Sequence, residues 1–531
     1  MKHKIIQKTL MLLAAVVLLA ACSKSTDAGA YIPNNAMIVA NIDMGTMMQK
    51  ADVKNIDNIS FVKLVRQELR SENPEIADLL DKIIEDPTAT GLDLRKDVTV
   101  YATKNVQVAF IATMHNTSKF EKFMHQVVDD IVFEEKDGFN QAITDVGTIF
   151  YNKDVAILSM SSEGNLPSTI NLSRDESLAS NKNFVNYWKN RSEISLWMDY
   201  GAIIDFAEQF GGADITQEMV FPEDYWNDIR NSSISCNLIF DKGAFRGEMT
   251  VLGFDNKKWK DYDKKFNSDL LKLMPEKSYA FFSLAFNPDK VAESFASMDM
   301  EDVDFNEPIV GDMSLADIMK ALEGSIAFSL FDFVENEQTT VMPLMAIAAD
   351  VKDEAAIKQI IDEAGMESHS GYYYYELGKG INIYVAMNKG SLYITNSEEA
   401  VTKFVSGGYG KGINHDIASK AKNNVYLYAN LDVDTYPKAL VSLMPRNLAH
   451  LLGGYFESLE FYASDWNTAK GAAYIKNKKE NSLLATLHFV DNNIMELINL
   501  TSSIENESDC PVYTEEYYVD EESDTEWNCY E

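Results

Sequence analysis

The sequence predicts an α+β fold of two tandem related halves, residues 31–267 and 268–500, each a mixed or antiparallel sheet with helices packed on it. Three observations carry this expectation. Short apolar runs bounded by turn residues alternate irregularly with stretches of helical periodicity, which is how strands and amphipathic helices read along a chain. Several of these stretches recur in the same order about 230 to 240 positions later, the mark of an internal repeat. A predicted hairpin closes each half, and no strict strand–helix alternation with a glycine fingerprint is present, so a doubly wound nucleotide-binding fold is not expected.

The chain opens with Lys2, Lys4 and Lys8 followed by an apolar run of 12 residues, Leu10 to Ala21. A bilayer span needs about 20 apolar residues, so residues 1–21 read as a signal peptide. The run ends Leu19-Ala20-Ala21-Cys22, which resembles the bacterial lipobox, where small residues precede a cysteine that is diacylated and becomes the mature N-terminus. That resemblance implies an anchor of lipid on Cys22, and several acyl chains on one residue hold a membrane stably where one does not. The rival is an ordinary secretory signal with a chance cysteine. Ser23 is not the aspartate that resembles an inner-membrane retention signal. The segment S-K-S-T-D lacks the acidic cluster of surface-exposed Bacteroidetes lipoproteins. The expected location is therefore the outer membrane, on its periplasmic face, with residues 22–30 as a tether.

The body begins P-N-N-A-M-I-V-A-N-I-D-M at Pro33, and P-E-K-S-Y-A-F-F-S-L-A-F begins 242 positions later at Pro275. Each opens an apolar strand. Phe120, Phe123, Met124 and Val127 form a helical stripe, matched 237 positions on by Ile357, Ile360, Ile361 and Ala364. Asn152-Lys153 and Asn388-Lys389, 236 apart, each turn between two short strands, and I-S-L-W-M-D from Ile194 meets V-Y-L-Y-A-N from Val425 at 231. The falling offsets are those of a duplication with small deletions in its second copy. The hairpins are C-N-L-I-F-D-K-G-A-F-R-G-E-M-T-V and L-E-F-Y-A-S-D-W-N-T-A-K-G-A-A-Y-I. Two such halves are expected to pack on each other and to form a groove where they meet.

The mature opening Y-I-P-N-N-A-M-I-V, behind its lipobox, resembles uncharacterised Bacteroidetes outer-membrane lipoproteins of a domain-of-unknown-function family whose chains begin Y-I-P-x-x-A-x-x-V. The resemblance runs loosely over most of the body. It implies location and fold, and it carries no catalytic residue.

Composition narrows the partners. The 531 residues carry a formal charge of −35, which becomes −38 when Lys2, Lys4 and Lys8 leave with the signal, so nucleic acid and anionic surfaces are disfavoured. Residues 501–531 contain no lysine or arginine, and from Glu505 on they hold eleven acids in 27 residues, interleaved with Tyr513, Tyr517, Tyr518, Trp527 and Tyr530. This is a solvated acidic tail, or a segment that docks on a basic partner or loosely chelates divalent cations. Cys510 and Cys529 lie in it, where an exported chain can close a disulfide or leave both thiols free. Cys236 lies in a strand-like run and is expected to be a buried free thiol.

Site candidates are few. Asp302, Asp304 and Asn306 have the alternating spacing that begins a calcium loop, but Glu307-Pro308 replaces the turn glycine and Met313 the closing acid, so a solvated acidic loop is the simpler reading and no bound metal is expected. Gly407 to Gly412, G-G-Y-G-K-G, follows a helix and reads as its glycine cap, lacking the serine or threonine of a phosphate loop. In G-Y-Y-Y-Y-E-L one pair of tyrosines faces the core of a strand and the other faces out. Tyr373 and Tyr375 are the candidates for stacking on a sugar or peptide, with a strand packed under a helix as the simpler reading. Ser60-Phe61-Val62-Lys63 satisfies S-x-x-K without its companion motifs. There is no H-E-x-x-H, G-x-S-x-G or C-x-x-C, and His115, His125, His369, His415, His450 and His488 are scattered. No catalytic residue or cofactor is expected. The sequence thus favours a non-enzymatic binding or accessory protein for a protein, peptide or glycan. An envelope hydrolase with an unrecognised site is the alternative, and a structural envelope lipoprotein is a third.

Overall fold

The computed structural model describes residues 28–144, 147–161, 171–211, 223–296, 307–334, 341–378, 381–444, 446–463, 465 and 467–508. Cys22, Cys510, Cys529, Asp302, Asp304 and Asn306 lie outside them.

The first ten strands are β1 (Ala36–Ile42), β2 (Val98–Thr103), β3 (Gln107–Thr113), β4 (Glu134–Lys136), β5 (Phe139–Thr144), β6 (Gly147–Tyr151), β7 (Val155–Ser161), β8 (Ile194–Asp199), β9 (Ser233–Asp241) and β10 (Ala244–Leu252). Hydrogen bonds place them side by side in the order β4, β5, β6, β7, β3, β2, β1, β8, β9, β10. After β11 (Ala280–Ala285), a small separate ribbon is made by β12 (Pro308–Val310) and β13 (Met313–Ser314). The remaining strands are β14 (Leu322–Val334), β15 (Met342–Val351), β16 (Glu367–His369), β17 (Tyr372–Gly378), β18 (Ile381–Asn388), β19 (Ser391–Thr395), β20 (Val425–Asn430), β21 (Phe456–Ala463) and β22 (Thr468–Ile475). They run β16, β17, β18, β19, β15, β14, β11, β20, β21, β22.

The two series meet where β10 pairs with β22, Gly247 opposite Gly471, and the result is one twenty-stranded antiparallel sheet. The expected class, α+β with an antiparallel sheet, is what the chain adopts. The two series meet edge to edge, through backbone hydrogen bonds. An edge strand carries a row of unpaired donors and acceptors, and pairing the two hairpin edges satisfies both at once.

The helices follow local chemistry. Labelled here are α1 (Ser60–Glu72), α2 (Pro74–Glu85), α3 (Thr117–Val127), α4 (Glu354–Glu363), α5 (Glu398–Val405) and α6 (Ser482–Ser508). Asn73 caps α2 by accepting the Ile76 N–H, with Pro74 at the first position, where its missing N–H costs nothing. Asn116 caps α3 and Asp353 caps α4, and the stripes legible in the sequence bury Phe120 and Met124 on one, Ile357 and Ile361 on the other. Gly407 and Gly408 do close α5, with their N–H groups bonded to the Phe404 and Lys403 carbonyls. α6 runs past position 500 to Ser508 and packs on α1 and β9. Asp491 there accepts the Phe61 N–H at 2.6 Å.

One sheet face is thickly covered. Trp197, Tyr101, Val39, Ile111 and Ile157 pack there with Phe184 and Tyr187, and Phe281, Tyr393, Tyr426, Ala327 and Ala346 pack with Phe404. No helix among the described residues is long and apolar enough to cross a membrane.

Candidate functional site

Side chains directly opposite in an antiparallel register share a face, so a row can be followed from strand to strand. Beginning at β7, the row on the second face is Ala156, Ala112, Val98, Ile42, Ile194, Leu238, Gly247, Gly471, Phe461, Leu427, Phe282, Phe328, Ile347, Ile394, Val385 and Tyr373. It crosses 16 strands without a charged residue. At about 4.8 Å per strand it extends roughly 70 Å along the sheet. The next row is equally apolar: Leu158, Phe110, Val100, Ala40, Leu196, Cys236 and Met249.

Near the join this face is open. Met249 is 40% exposed, Leu427 37%, Leu459 40% and Phe461 41%. An ordinary half-solvated antiparallel sheet alternates apolar and polar, with its polar side outward. Here both sides are apolar and one is uncovered, and large exposed apolar surface is the usual sign of a binding site. A recess of about 280 Å³ lies on this face between the two series, with Met249, Val251, Leu284, Val425 and Ala469 among its walls. The recess is a feature of the shared sheet surface.

The covered face holds a polar cluster at the same join. Glu460, 6% exposed, accepts from Tyr474 Oη at 3.1 Å and Tyr426 Oη at 3.3 Å, and from Lys420 Nζ. Lys470 pairs with Glu248 at 3.3 Å, and Arg246 Nε donates to Asp241 at 3.0 Å. Burial alone would lower the Lys420 ammonium, but the Glu460 hydrogen bond and charge outweigh it and raise it. Burial, reinforced by Glu460, pushes the Tyr426 phenol far above its usual range. Each of these cations has an acid beside it, so the cluster reads as a satisfied polar plug beside two cores.

Tyr372, buried, lies on the covered face and Tyr374 packs beside that core, whereas Tyr373 and Tyr375 lie on the open one. Tyr373 packs among the residues seated beneath α4, which leaves Tyr375, 46% exposed, as the free ring of the candidate pair. Cys236 is free but half-buried on the open face, where burial raises its thiol above the usual value; full burial was expected and is not found. Among the described residues no three His, Cys, Asp or Glu side chains converge as a metal site. The open face itself is the feature sequence reading missed. Its signal was present in strands such as C-N-L-I-F and L-E-F-Y-A, whose outward positions are leucine and phenylalanine.

A family model described as a domain of unknown function (DUF4836) matches residues 29–491. No curated protein matches. Among solved structures, crystal form IV of TP0453 aligns at 11% identity and TM-score 0.26, covering 43% of this chain and 81% of that one. Crystal form III aligns at 10% identity and TM-score 0.24, covering 43% and 80%.

Proposed function

The chain belongs to the DUF4836 family, and from that footing we propose that it is a lipid-anchored envelope protein that binds an apolar ligand along its open sheet face, without chemistry of its own. The observation that carries this reading is the charge-free row crossing the join. A protein partner ordinarily meets a surface with about one hydrogen bond per 100–200 Å². This face offers no side-chain donor or acceptor but the Cys236 thiol across its central strands, and its backbone groups are spent in the ladder, so hydrocarbon suits it better than peptide or glycan.

Two related halves are part of the proposal. Ile38 stands opposite Met198, and Ala280 opposite Ala429, so β1 and β8 superpose on β11 and β20 at shifts of 242 and 231, the offsets read in the sequence. Thr148 opposite Ser159 and Tyr384 opposite Thr395 repeat this at 236. The strand order of one series is the order of the other.

Outer-membrane anchoring on the periplasmic face rests on the Cys22 lipobox. Replacing Cys22→Ala should move the protein from the membrane to the soluble envelope fraction. An organic extract of that purified form should contain apolar molecules at near-molar ratio. Persistence in membranes would defeat the anchor, and an extract without apolar molecules would defeat the binding role.

A further inference from the structure

We propose that the open face ends, in the first series, in a seat for one long acyl chain; this deepens the binding role above and rests on it. The seat is a cavity of about 190 Å³ between α2, α3 and the sheet. Its floor is low for a local reason. Ala112 on β3 and Ala156 on β7 stand opposite each other in register, so two neighbouring strands present methyl groups where most others on this face present larger side chains. Leu79 and Ile83 of α2 and Phe120 and Met124 of α3 wall it without filling it.

The chemistry of the lining selects the occupant. Thr90 alone among the lining residues carries a polar side chain, and it is 3% exposed, its Oγ1 placed 3.4 Å from the Leu92 N–H it accepts. A water in such a space would find almost no partners, and an apolar cavity of about 150 Å³ is known to stay dry and take benzene. A sugar or a peptide backbone would leave its polar groups unpaired here, whereas a hydrocarbon loses nothing. The cavity floor also begins the apolar row, since Ala112 and the buried Val98 lead to the half-buried Ile42 and Ile194 and from there toward the exposed Phe461 and Leu427. A chain longer than the cavity therefore continues onto the open sheet, which favours a long acyl chain over a compact apolar molecule.

The test is titration of the full mature chain with cis-parinaric acid, whose polyene fluoresces when sheltered from water. A second arm offers the same acyl group esterified in phosphatidylcholine vesicles, separating a free fatty acid from a lipid as its source. Wild type should bind in at least one arm. Ala112→Phe with Ala156→Phe fills the floor and should weaken binding about tenfold, the effect of withdrawing roughly two methylenes. Leu443→Glu, exposed and outside the sheet, should change it less than about threefold. Val100→Phe at the half-exposed mouth supplies the same test should the double variant not fold. No binding in either arm overturns the seat, and so does wild-type affinity in the filled, folded variants. If Phe461→Glu alone abolishes binding, the open face stands and the seat falls.

Discussion

Gly247 and Gly471 show at single-residue scale why the join looks as it does. They face each other across β10 and β22 with no bulge in the register, and neither has positive φ. A Cβ on Gly247 would meet only the Asn237 carbonyl, at 3.9 Å, so intrachain packing does not demand glycine there. Strand glycine costs roughly 0.5–1 kcal/mol relative to alanine, and it often marks close approach by something else. Gly247→Ala should accordingly raise unfolding stability by about 0.5–1 kcal/mol in a denaturant titration. A loss of stability would mean that the neighbouring strands need the bare position. Gly412 is the contrast. Its φ of +67° and the Leu271 carbonyl 2.3 Å from where a Cβ would sit make glycine obligatory.

At the scale of elements, the caps and stripes of α2, α3 and α4 were legible because Asn73, Asn116 and Asp353 act through contacts within a few residues. The turn at Asn152-Lys153 and the cap at Gly407 were legible for the same reason. What holds α1 to α2 was not, because it depends on which long side chains meet. Arg66 Nε donates to Asp81 at 2.9 Å, Arg66 also reaches Asp57, and Arg70 lies 3.3 Å from Asp78. Burial alone would raise the Asp81 carboxyl, but the guanidinium groups of Arg66 and Arg70 outweigh it and hold it below its usual value. A carboxylate depressed in the folded state stabilises it above the unfolded value, 3.8, and that contribution is lost as pH falls through the folded value. Hydrogen exchange should therefore show α1 and α2 loosening below about pH 3.8 before the sheet does. Asp81→Asn should show that looseness already at neutral pH. Equal protection of helices and sheet through the acid range would contradict the account.

For the whole molecule, the sequence reached the α+β class through local patterns, yet not the single sheet. Edge-to-edge pairing of β10 with β22 joins residues more than two hundred positions apart through backbone groups, and backbone groups leave no mark in side-chain type. The open face escaped for a related reason. Leu427, Leu459 and Phe461 look like core residues in any strand, and only the absence of a covering element among the described residues makes them a surface. The Tyr373 and Tyr375 pair was placed on the right strand with its rings pointing as alternation requires, although α4 claims one of them.

Titration of the purified mature chain with an anilinonaphthalene dye, in wild type and in Phe461→Glu with Leu427→Glu, tests the central claim most directly. Both positions are exposed, so the fold should survive with a change near the ±0.5 kcal/mol usual for surface substitutions. The account predicts saturable, fluorescence-enhancing binding to wild type and affinity lower by about tenfold or more in the double variant. Binding of equal strength in both proteins, or none in wild type, would contradict it.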